Sequence, residues 1–358
     1  MFIKTVDLNN FRSHKVASVE FMRGVNVVIG ANGTGKTNLL EAINYATRNF
    51  SHKTSNKKLL IRKGNDCASI KLVVHKESFS FTIQKEIATS VKKNPNITPQ
   101  VCKVILFSPE TINIILGEPE SRRNWLDRII SQYDFTYSNA LQKFEKIIRQ
   151  RNFLLKSLKK NYKSSAVDTL FVWDSRLAKY SENITAKRAK LVQLVEKYYS
   201  GIYNHVAEND NTIKVKLLQS VQINTEQEIV RELQGNLEKD ILLGYTTIGA
   251  QKDDLLIEVD GFSAKGNLSQ GEVWTLAFTL VMVEHKIFTE KESTMNFQEP
   301  VLLLDDVFLG IDHKRRQKVV EFIADKEQVI ITTADEREIP KNLVYNRIDI
   351  KSASASSG

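Results

Sequence analysis

One segment near the amino terminus constrains the fold more than any other part of this chain. Residues 30–37 read GANGTGKT and match G-x-x-x-x-G-K-[ST] at every fixed position. An apolar stretch precedes the segment, and residues 38–46 follow it with apolar side chains at helical spacing. A strand, a glycine-rich turn and a helix in this order form a loop whose backbone N–H groups surround a phosphate at the positive end of the helix. The pattern predicts an α/β nucleotide-binding fold.

Each residue of this loop is expected to contribute to nucleotide binding. The predicted phosphate-binding residues are Gly30, Ala31, Asn32, Gly33, Thr34, Gly35, Lys36 and Thr37. The Lys36 ammonium should reach the β- and γ-phosphates of ATP, and the Thr37 hydroxyl should bind Mg²⁺. A chance glycine turn is the alternative, and the strand and helix on either side of the loop disfavour it.

A pair of acidic residues follows a second apolar run. Residues 301–304 are all apolar and lead into Asp305 and Asp306. Asp305 is the expected second ligand of Mg²⁺. Asp306, with Lys36, is the expected catalytic group, because a carboxylate near the γ-phosphate can orient or polarise a water molecule. A strand that ends in two solvated acids is the alternative. The metal site also requires that Lys36 and Asp305, 269 residues apart, come together.

The remaining patterns divide the chain into an α/β part and a helical part. Strands are predicted at 2–8, 16–21, 25–29, 69–74, 78–83, 101–107, 300–306 and 328–333, and a polar loop at 90–100. The first three strands are typical of alternating edge strands, whereas the last two are typical of buried parallel strands. The expected organisation is a head formed by 1–117 and 240–351, a helical lobe with a hairpin arm at 118–239, and a disordered tail at 352–358.

The helical middle predicts an antiparallel hairpin with a heptad seam on its second helix. The seam consists of Leu170, Trp173, Leu177, Tyr180, Ile184, Leu191, Leu194 and Tyr198. Core helices of a compact lobe are an equally open alternative to a projecting coiled coil.

The net charge of +9 is localised in this helical middle. Residues 141–200 contain 14 Lys and Arg against 5 Asp and Glu, which accounts for the whole excess. A localised basic region favours a polyanionic partner such as DNA, with a solvated lysine-rich face as the alternative. The two cysteines, Cys67 and Cys102, cannot form a disulfide framework. With no apolar run that could span a bilayer and no signal peptide, the expected location is the cytoplasm, with no membrane partner.

An ordered series of short motifs extends over nearly the whole chain. In chain order they are 8–14 (LNNFRSH), 28–43, 51–55 (SHKTS), 60–64 (LIRKG), 107–110 (FSPE), 117, 122–127 (RRNWLD), 150–152 (QRN), 173–174 (WD), 249–254 (GAQKDD), 269–272 (SQGE), 305–308 (DDVF) and 312. The series resembles the ABC-type ATPase heads of the SMC class, and more closely the RecF family of bacterial recombination mediators. This resemblance implies a P-loop head with a mixed sheet, interrupted by a helical second lobe.

The resemblance also implies a site completed by a second copy of the chain. Residues 269–272 resemble the ABC signature, in which Ser269 and the backbone at Gly271 contact the γ-phosphate held by the partner's loop. Asp312 resembles an acid that contacts the opposite head, and Arg12 resembles a basic residue near the nucleotide. A helix N-terminus after a turn is the alternative for residues 269–271.

The family resemblance implies an ATP-driven homodimer that clamps DNA at single-strand/double-strand junctions and helps to load a recombinase. It implies roles in DNA repair, replication and the SOS response, RecR- and RecO-type partners, and weak DNA-stimulated ATP hydrolysis as a switch. An SMC-like structural ATPase with a different protein partner is the alternative. The sequence departs from the family at Gln251, where histidine is usual, and at residues 309–310, where Leu-Gly replaces Ser-Glu.

Overall fold

The computed structural model describes residues 1–54, 56–76, 79–88, 102–221, 225–290 and 299–350 of the 358. The chain divides into two compact units. Unit 1 comprises Met1–Ile112, His205–Glu208 and Ser269–Gly358, and unit 2 comprises Asn113–Asn204 and Asn209–Leu268. The polar loop predicted at 90–100 and the tail predicted at 352–358 lie outside the described residues.

The chain forms the first part of unit 1, then unit 2, and then returns to unit 1. The first part contains β1 (Phe2–Phe11), β2 (His14–Glu20), β3 (Gly24–Ile29), α1 (Lys36–Arg48), β4 (Cys67–Lys76), β5 (Phe79–Ala88) and β6 (Val104–Phe107). Unit 2 contains α2 (Asn113–Leu116), α3 (Pro119–Tyr133), α4 (Phe135–Lys160), most of α5 (Ser164–Ala207), β7 (Ile213–Leu218), α6 (Glu226–Gly235), α7 (Leu237–Leu243), β8 (Asp254–Val259) and β9 (Phe262–Ser263). The return contains α8 (Gln270–Thr289), β10 (Val301–Asp305), α9 (His313–Ile323), β11 (Gln328–Thr333) and β12 (Asn346–Asp349).

A parallel sheet joins the two chain ends within unit 1. Its strand order is β12-β3-β11-β10-β6, and all neighbouring strands are parallel. The prediction of buried parallel strands at 300–306 and 328–333 is confirmed by β10 and β11. The prediction that 25–29 is an alternating edge strand is wrong. Strand β3 lies between β11 and β12 with Val25 to Ile29 buried, because an interior parallel strand is covered on both faces.

A second, antiparallel sheet of unit 1 packs on the same helix as the parallel sheet. Its order is β2-β1-β4-β5, which confirms the predicted pairing of the strands near 69–74 and 78–83. Helix α1 contacts strands of both sheets. Its Leu39, Leu40 and Ile43 are fully buried in one core with side chains from each sheet. The helix that follows the phosphate-binding loop is therefore held on both sides.

Aromatic packing fixes helix α8 against the parallel sheet. The ring of Phe107, on β6, makes edge contacts with Trp274 at 5.6 Å and with Phe278 at 5.5 Å. The Trp274 and Phe278 rings stack on each other at 5.0 Å. Such aromatic pairs add orientation to apolar burial. Trp274 lies one helical turn after the start of α8. Its packing therefore fixes the position of the amino-terminal turn of the helix.

The long helix α5 does not follow the predicted heptad seam to its end. Of the predicted positions as far as Leu191, Leu170, Leu177, Ile184 and Leu191 are buried, whereas Trp173 and Tyr180 are only half-buried. Beyond that point the buried residues are Val195 and Tyr199, instead of Leu194 and Tyr198. A straight α-helix drifts by about 20° per heptad, and only supercoiling holds a strict seam. The predicted seam is therefore wrong in its second half, and α5 packs as a core helix of unit 2.

The bounds of unit 2 differ from those of the predicted helical lobe. Residues 240–268, which were expected in the head, belong to unit 2. Strand β8 and its Asp254 pair with other residues of unit 2. Strand β8 is antiparallel to β7, with Val259 opposite Ile213. The Asp254 carboxylate on β8 accepts hydrogen bonds from Arg122 Nε at 2.6 Å and from its Nη2 at 3.0 Å.

A fully buried ion cluster holds the hairpin helices to α7. Arg151 on α4 donates from Nε to Asp174 on α5 and from Nη1 to Asp240 on α7, both at 2.6 Å. None of the three side chains is exposed to solvent. Burial is the largest influence on the pKa of Asp174 and raises it, and Arg151 opposes this shift. The cluster ties three helices of unit 2 at one point.

Replacing Arg151 by Met should destabilise unit 2 strongly, because two buried carboxylates would lose their cation. We expect a loss of about 3–5 kcal/mol in the free energy of unfolding, measured by urea denaturation. The matched control is Arg149→Ala on the same helix, where an exposed pair with Glu145 should contribute no more than about 0.5 kcal/mol. Equal losses in the two variants would contradict a structural role for the cluster.

Candidate nucleotide-binding site

The backbone of the loop between β3 and α1 requires glycine at several positions. Gly33 and Gly35 have φ angles of +84° and +97°, in the region that disfavours side chains. At Gly30, an added Cβ would lie 2.7 Å from the carbonyl oxygen of Ile350 and 2.9 Å from Thr34 Oγ1. The loop therefore has the open, N–H-lined backbone that a bound phosphate needs.

Residues at the turn between β1 and β2 form hydrogen bonds with the phosphate-binding loop and with α1. His14 is buried, and its Nε2 lies 3.0 Å from the carbonyl oxygen of Gly35, to which it donates. Burial is the largest influence on the pKa of His14 and lowers it, which favours the neutral ring. Asn38 on α1 donates to the Ser13 hydroxyl at 2.9 Å. The motif at 8–14 is thus a brace for the loop, a role that its sequence alone did not indicate.

Lys36 points back into the loop. Its side chain is buried, and its ammonium donates to the carbonyl oxygens of Gly30 at 2.6 Å and Ala31 at 3.1 Å. An ammonium has three donors, so these two bonds leave one for an anion in the loop. The geometry fits the predicted role of Lys36 toward a phosphate.

The two predicted metal ligands are in direct contact. Thr37 Oγ1 donates to Asp305 Oδ1 at 3.1 Å, and Thr332 Oγ1 donates to the same oxygen at 2.5 Å. Thr332 lies beside Asp305 in the register of β10 and β11. Mg²⁺ prefers oxygen ligands and keeps several waters, so one hydroxyl and one carboxylate fit it. No cluster of three or more His, Cys, Asp or Glu suited to another metal occurs in the described part of the chain.

Asp306 is held in an unusual backbone conformation beside Asp305. Its φ is +48°, and its N–H donates to the carbonyl oxygen of Thr332 at 3.1 Å. Burial raises the pKa of the Asp306 carboxyl, and the charge of Asp305 raises it further, while Lys36 opposes the shift. A carboxylate with raised proton affinity is a better base at neutral pH. Asp306 therefore has the environment expected of a group that orients water.

The segment at 51–54 brings further polar groups to the site. Ser51 Oγ donates to Glu41 Oε1 at 2.5 Å and accepts from the N–H groups of Lys53 and Thr54 at 3.1 Å each. Burial lowers the pKa of His52, and negative charges nearby, among them Asp305, oppose this shift. The sequence contained a signal for this segment, the match at 51–55, but assigned it no role.

Arg12 lies against helix α1. Its Nε and Nη2 donate to the two carboxylate oxygens of Glu41 at 2.8 and 2.6 Å, and its Nη1 donates to the carbonyl oxygen of Leu59 at 2.9 Å. Glu41 is fully buried. The structure thus gives Arg12 an intramolecular partner, and its contact with nucleotide stays a prediction.

The structure separates the predicted site residues into two groups. Lys36, Thr37, Asp305 and Asp306 meet at the loop. Ser269, Gly271 and Asp312 form no hydrogen bond with residues 30–37 anywhere in the described ranges. Ser269 instead caps α8, where its hydroxyl donates to Glu272 Oε2 at 2.7 Å and accepts from the Glu272 N–H at 3.3 Å. Asp312 caps α9.

Comparison with known proteins decides the family. A family profile described as an AAA domain matches residues 5–241. "DNA replication and repair protein RecF" of Clostridium perfringens (strain SM101 / Type A) is 34% identical over 348 residues, which cover 94% of each chain. The protein of the same name from Leifsonia xyli subsp. xyli is 29% identical over 380 residues, which cover 98% of each chain. The chain belongs to the RecF family.

Solved structures agree with this RecF assignment. The chain is similar to "the recombination mediator protein RecF-ATPrS in RecFOR pathway", with a TM-score of 0.86, 25% identity and coverage of 99% and 98% of the two chains. A RecF-ATP structure of the same pathway has a TM-score of 0.81 at 26% identity and covers 95% and 93%. The Smc head of Pyrococcus furiosus shares the fold, with a TM-score of 0.51 at 15% identity and coverage of 98% and 94%. The predicted fold class, an SMC-like P-loop head, is confirmed.

In the parts of this RecF-family chain that the structure describes, none of the helices has both the length and the apolarity to cross a bilayer.

Gly35→Ala should destabilise the protein more than Gly33→Ala. Both residues have left-handed backbone, but an added Cβ at Gly35 would lie 2.5 Å from His14 Nε2, whereas none of the described atoms lies within 4 Å at Gly33. We expect both variants to lose about 1 kcal/mol from backbone strain and Gly35→Ala to lose about 1–3 kcal/mol more from overpacking. Thermal unfolding followed by circular dichroism measures the difference. Identical losses would show that the His14 contact does not restrict position 35.

Proposed function

We propose that this chain is an ATP-dependent DNA-binding protein of recombinational repair and replication restart. ATP drives formation of a homodimer that clamps DNA at single-strand/double-strand junctions and helps to load a recombinase, which supports SOS induction. The proposal depends on one contact in a RecF-family chain. Thr37 donates to Asp305 across 268 residues, which assembles the two halves of a site for ATP and Mg²⁺.

The residues of the loop have separable tasks in this proposal. The backbone N–H groups of residues 30–35 bind the phosphates, and Lys36 adds a positive charge to the β- and γ-phosphates. Thr37 and Asp305 hold Mg²⁺, which when bound neutralises phosphate charge. Asp306 orients a water molecule through its carboxylate. Hydrolysis to ADP and phosphate is weak, is stimulated by DNA and acts as a switch.

A second copy of the chain supplies the rest of each site. Ser269 is exposed at the start of α8, so its hydroxyl and the backbone at Gly271 can reach a phosphate outside their own chain. Asp312 contacts the opposite head, and Arg12 lies near the nucleotide. The related structures are described as RecF with ATP or an analogue in the RecFOR pathway. These descriptions support ATP as the ligand and RecR- and RecO-type proteins as partners. The name of the curated relatives, DNA replication and repair protein, supports action on DNA, and the cytoplasm is part of the proposal.

The length of the hairpin helices favours this function over an SMC-like structural role. Helices α4 and α5 contain 26 and 44 residues. At 1.5 Å per residue they extend about 39 and 66 Å, and unit 2 buries much of α5. The Smc neighbour, in contrast, is described as having an extended coiled coil and a bound ScpA domain. A scattering profile with a long arm beyond both units would favour the structural alternative.

Lys36→Met should abolish ATP binding and ATP-dependent DNA retention together. Loss of a charged donor inside the loop should weaken ATP binding about 100-fold, measured with a fluorescent ATP analogue. Retention on a gapped duplex, measured by gel shift with and without ATP, should fall to the level without nucleotide.

The matched control is Lys15→Met, which removes an exposed lysine of unit 1 and should leave both measurements unchanged. A Lys36→Met protein that still dimerises with ATP and holds DNA normally would overturn the proposed function.

The basic end of α4 should contribute to DNA affinity. Lys156, Lys159, Lys160 and Lys163 are all exposed around the turn of the hairpin. Replacing all four by Glu should weaken duplex binding. It should also reduce the slope of log affinity against log salt by about 0.9 for each lysine that contacts a phosphate. Fluorescence anisotropy at several salt concentrations measures both effects.

The control reverses four exposed lysines of unit 1, at positions 15, 63, 71 and 341. If the two quadruple variants lose equal affinity, the effect is one of net charge, and the turn of the hairpin is only a solvated face.

A further inference from the structure

We propose that Arg315 is a positioning residue that clamps the amino-terminal turn of α8 to Asp312, so that both segments meet a nucleotide as one rigid body. The inference rests on the proposed function, in which Ser269, Gly271 and Asp312 act on the ATP held by a second copy of the chain. It adds a residue that has no predicted contact with the nucleotide and acts through its bonds to Asp312 and Thr275.

The first half of the clamp lies at the start of α9. The Arg315 N–H donates to Asp312 Oδ1 at 2.9 Å, which caps the helix. The Arg315 guanidinium also donates from Nη1 to Asp312 Oδ2. Both oxygens of the Asp312 carboxylate are therefore bound by the same residue. Because a carboxylate gripped at two points has little rotational freedom, the direction of Asp312 follows the position of Arg315.

The second half reaches helix α8. Arg315 Nε donates to Thr275 Oγ1 at 2.9 Å, and the Thr275 hydroxyl donates to the carbonyl oxygen of Gly271 at 2.8 Å. A hydroxyl has one donor and can accept at the same time, so this chain of bonds is satisfied at every atom. The guanidinium thus links Asp312 to the backbone of the predicted signature turn through the Thr275 side chain.

Gly271 lies directly against the clamp. A Cβ built on Gly271 would lie 3.3 Å from each of Arg315 Cζ, Nη1 and Nη2. Three equal distances place the face of the guanidinium toward this glycine. A side chain at position 271 would displace the guanidinium by a few tenths of an ångström. Contact with Arg315 therefore favours glycine at position 271, whether or not a phosphate binds there.

The charge of Arg315 also stabilises the acidic groups at this turn. Hydrogen bonds from Ser269 are the largest influence on the pKa of Glu272 and lower it, and Arg315 lowers it further. The backbone bond from Arg315 is the main cause that lowers the pKa of Asp312. Two carboxylates at neighbouring helix starts would repel each other and a phosphate. A cation between them reduces that repulsion.

The test compares Arg315→Ala with Lys314→Ala. Lys314 is the adjacent residue, its side chain is 80% exposed, and it forms a surface ion pair with Glu208. Both variants lose one positive charge from the same turn of α9. Only Arg315→Ala removes the bonds to Asp312 and Thr275.

The first measurement uses the full chain without nucleotide. Hydrogen exchange of the backbone amides in 269–273 and 312–316 should become about tenfold faster in Arg315→Ala, because local opening loses a charge-assisted bond. Exchange in Lys314→Ala should match the wild type. Unchanged exchange in Arg315→Ala would overturn the clamp itself.

The second measurement is sedimentation with saturating ATP and Mg²⁺. Arg315→Ala should dimerise about tenfold more weakly, while the affinity of its monomer for a fluorescent ATP analogue should equal that of the wild type. Faster exchange with normal dimerisation would show that the clamp does not position the two segments for a partner. A wild-type protein that stays monomeric would overturn the proposed function and the role of the clamp in a dimer, while exchange would still report the clamp.

Two further variants test the clamp in case Arg315→Ala does not fold. Thr275→Val keeps the arginine but removes its acceptor on α8, and it should show the same two effects more weakly. Gly271→Ala should weaken dimerisation by displacing the guanidinium. Adding Arg315→Ala to Gly271→Ala should then cause little further loss. Fully additive losses would show that position 271 and Arg315 act independently.

Discussion

The carboxylate of Asp305 is the point on which the rest of the structure depends. It accepts hydrogen bonds from Thr37 at the start of α1 and from Thr332 at the end of β11. These residues come from the two ends of the chain, which the parallel sheet joins. A buried carboxylate without such donors would be costly. The same contacts that satisfy the charge also place the loop and the acid pair at one edge of the sheet.

A second polar cluster, around Arg315, forms no hydrogen bond with the phosphate-binding loop among the described residues. Around Arg315, the caps of α8 and α9 are joined into one polar cluster by hydrogen bonds and close packing. Aromatic packing of Trp274 and Phe278 holds the same helix against the parallel sheet. In the proposed function, a second copy of the chain supplies the signature-like turn to each loop. Contacts within unit 1 hold the loop and the signature-like turn separately, and the described residues provide no hydrogen bond between them.

Much of the site could be predicted because local chemistry determines it. A glycine-rich loop with Lys36 and Thr37 needs a strand before it and a helix after it, and Asp305 follows an apolar run that is typical of a buried parallel strand. The bracing by His14, the approach of His52 and the clamp by Arg315 could not be predicted in this way. Each depends on which turns meet in space. For the same reason Arg151, in a stripe of apolar residues, gave no sign of its two buried aspartate partners.

The sequence by itself determined the strand–loop–helix unit, the acid pair and the family. Each of them depends on short motifs whose residue types have strict chemical requirements. Only the tertiary structure decided that β3 is an interior strand, that α5 leaves its heptad seam, and that 240–268 belong with unit 2. The physical reason is that burial on two faces, helix drift and strand pairing depend on distant partners. A local pattern of apolar residues is compatible with several such partners, and packing selects one.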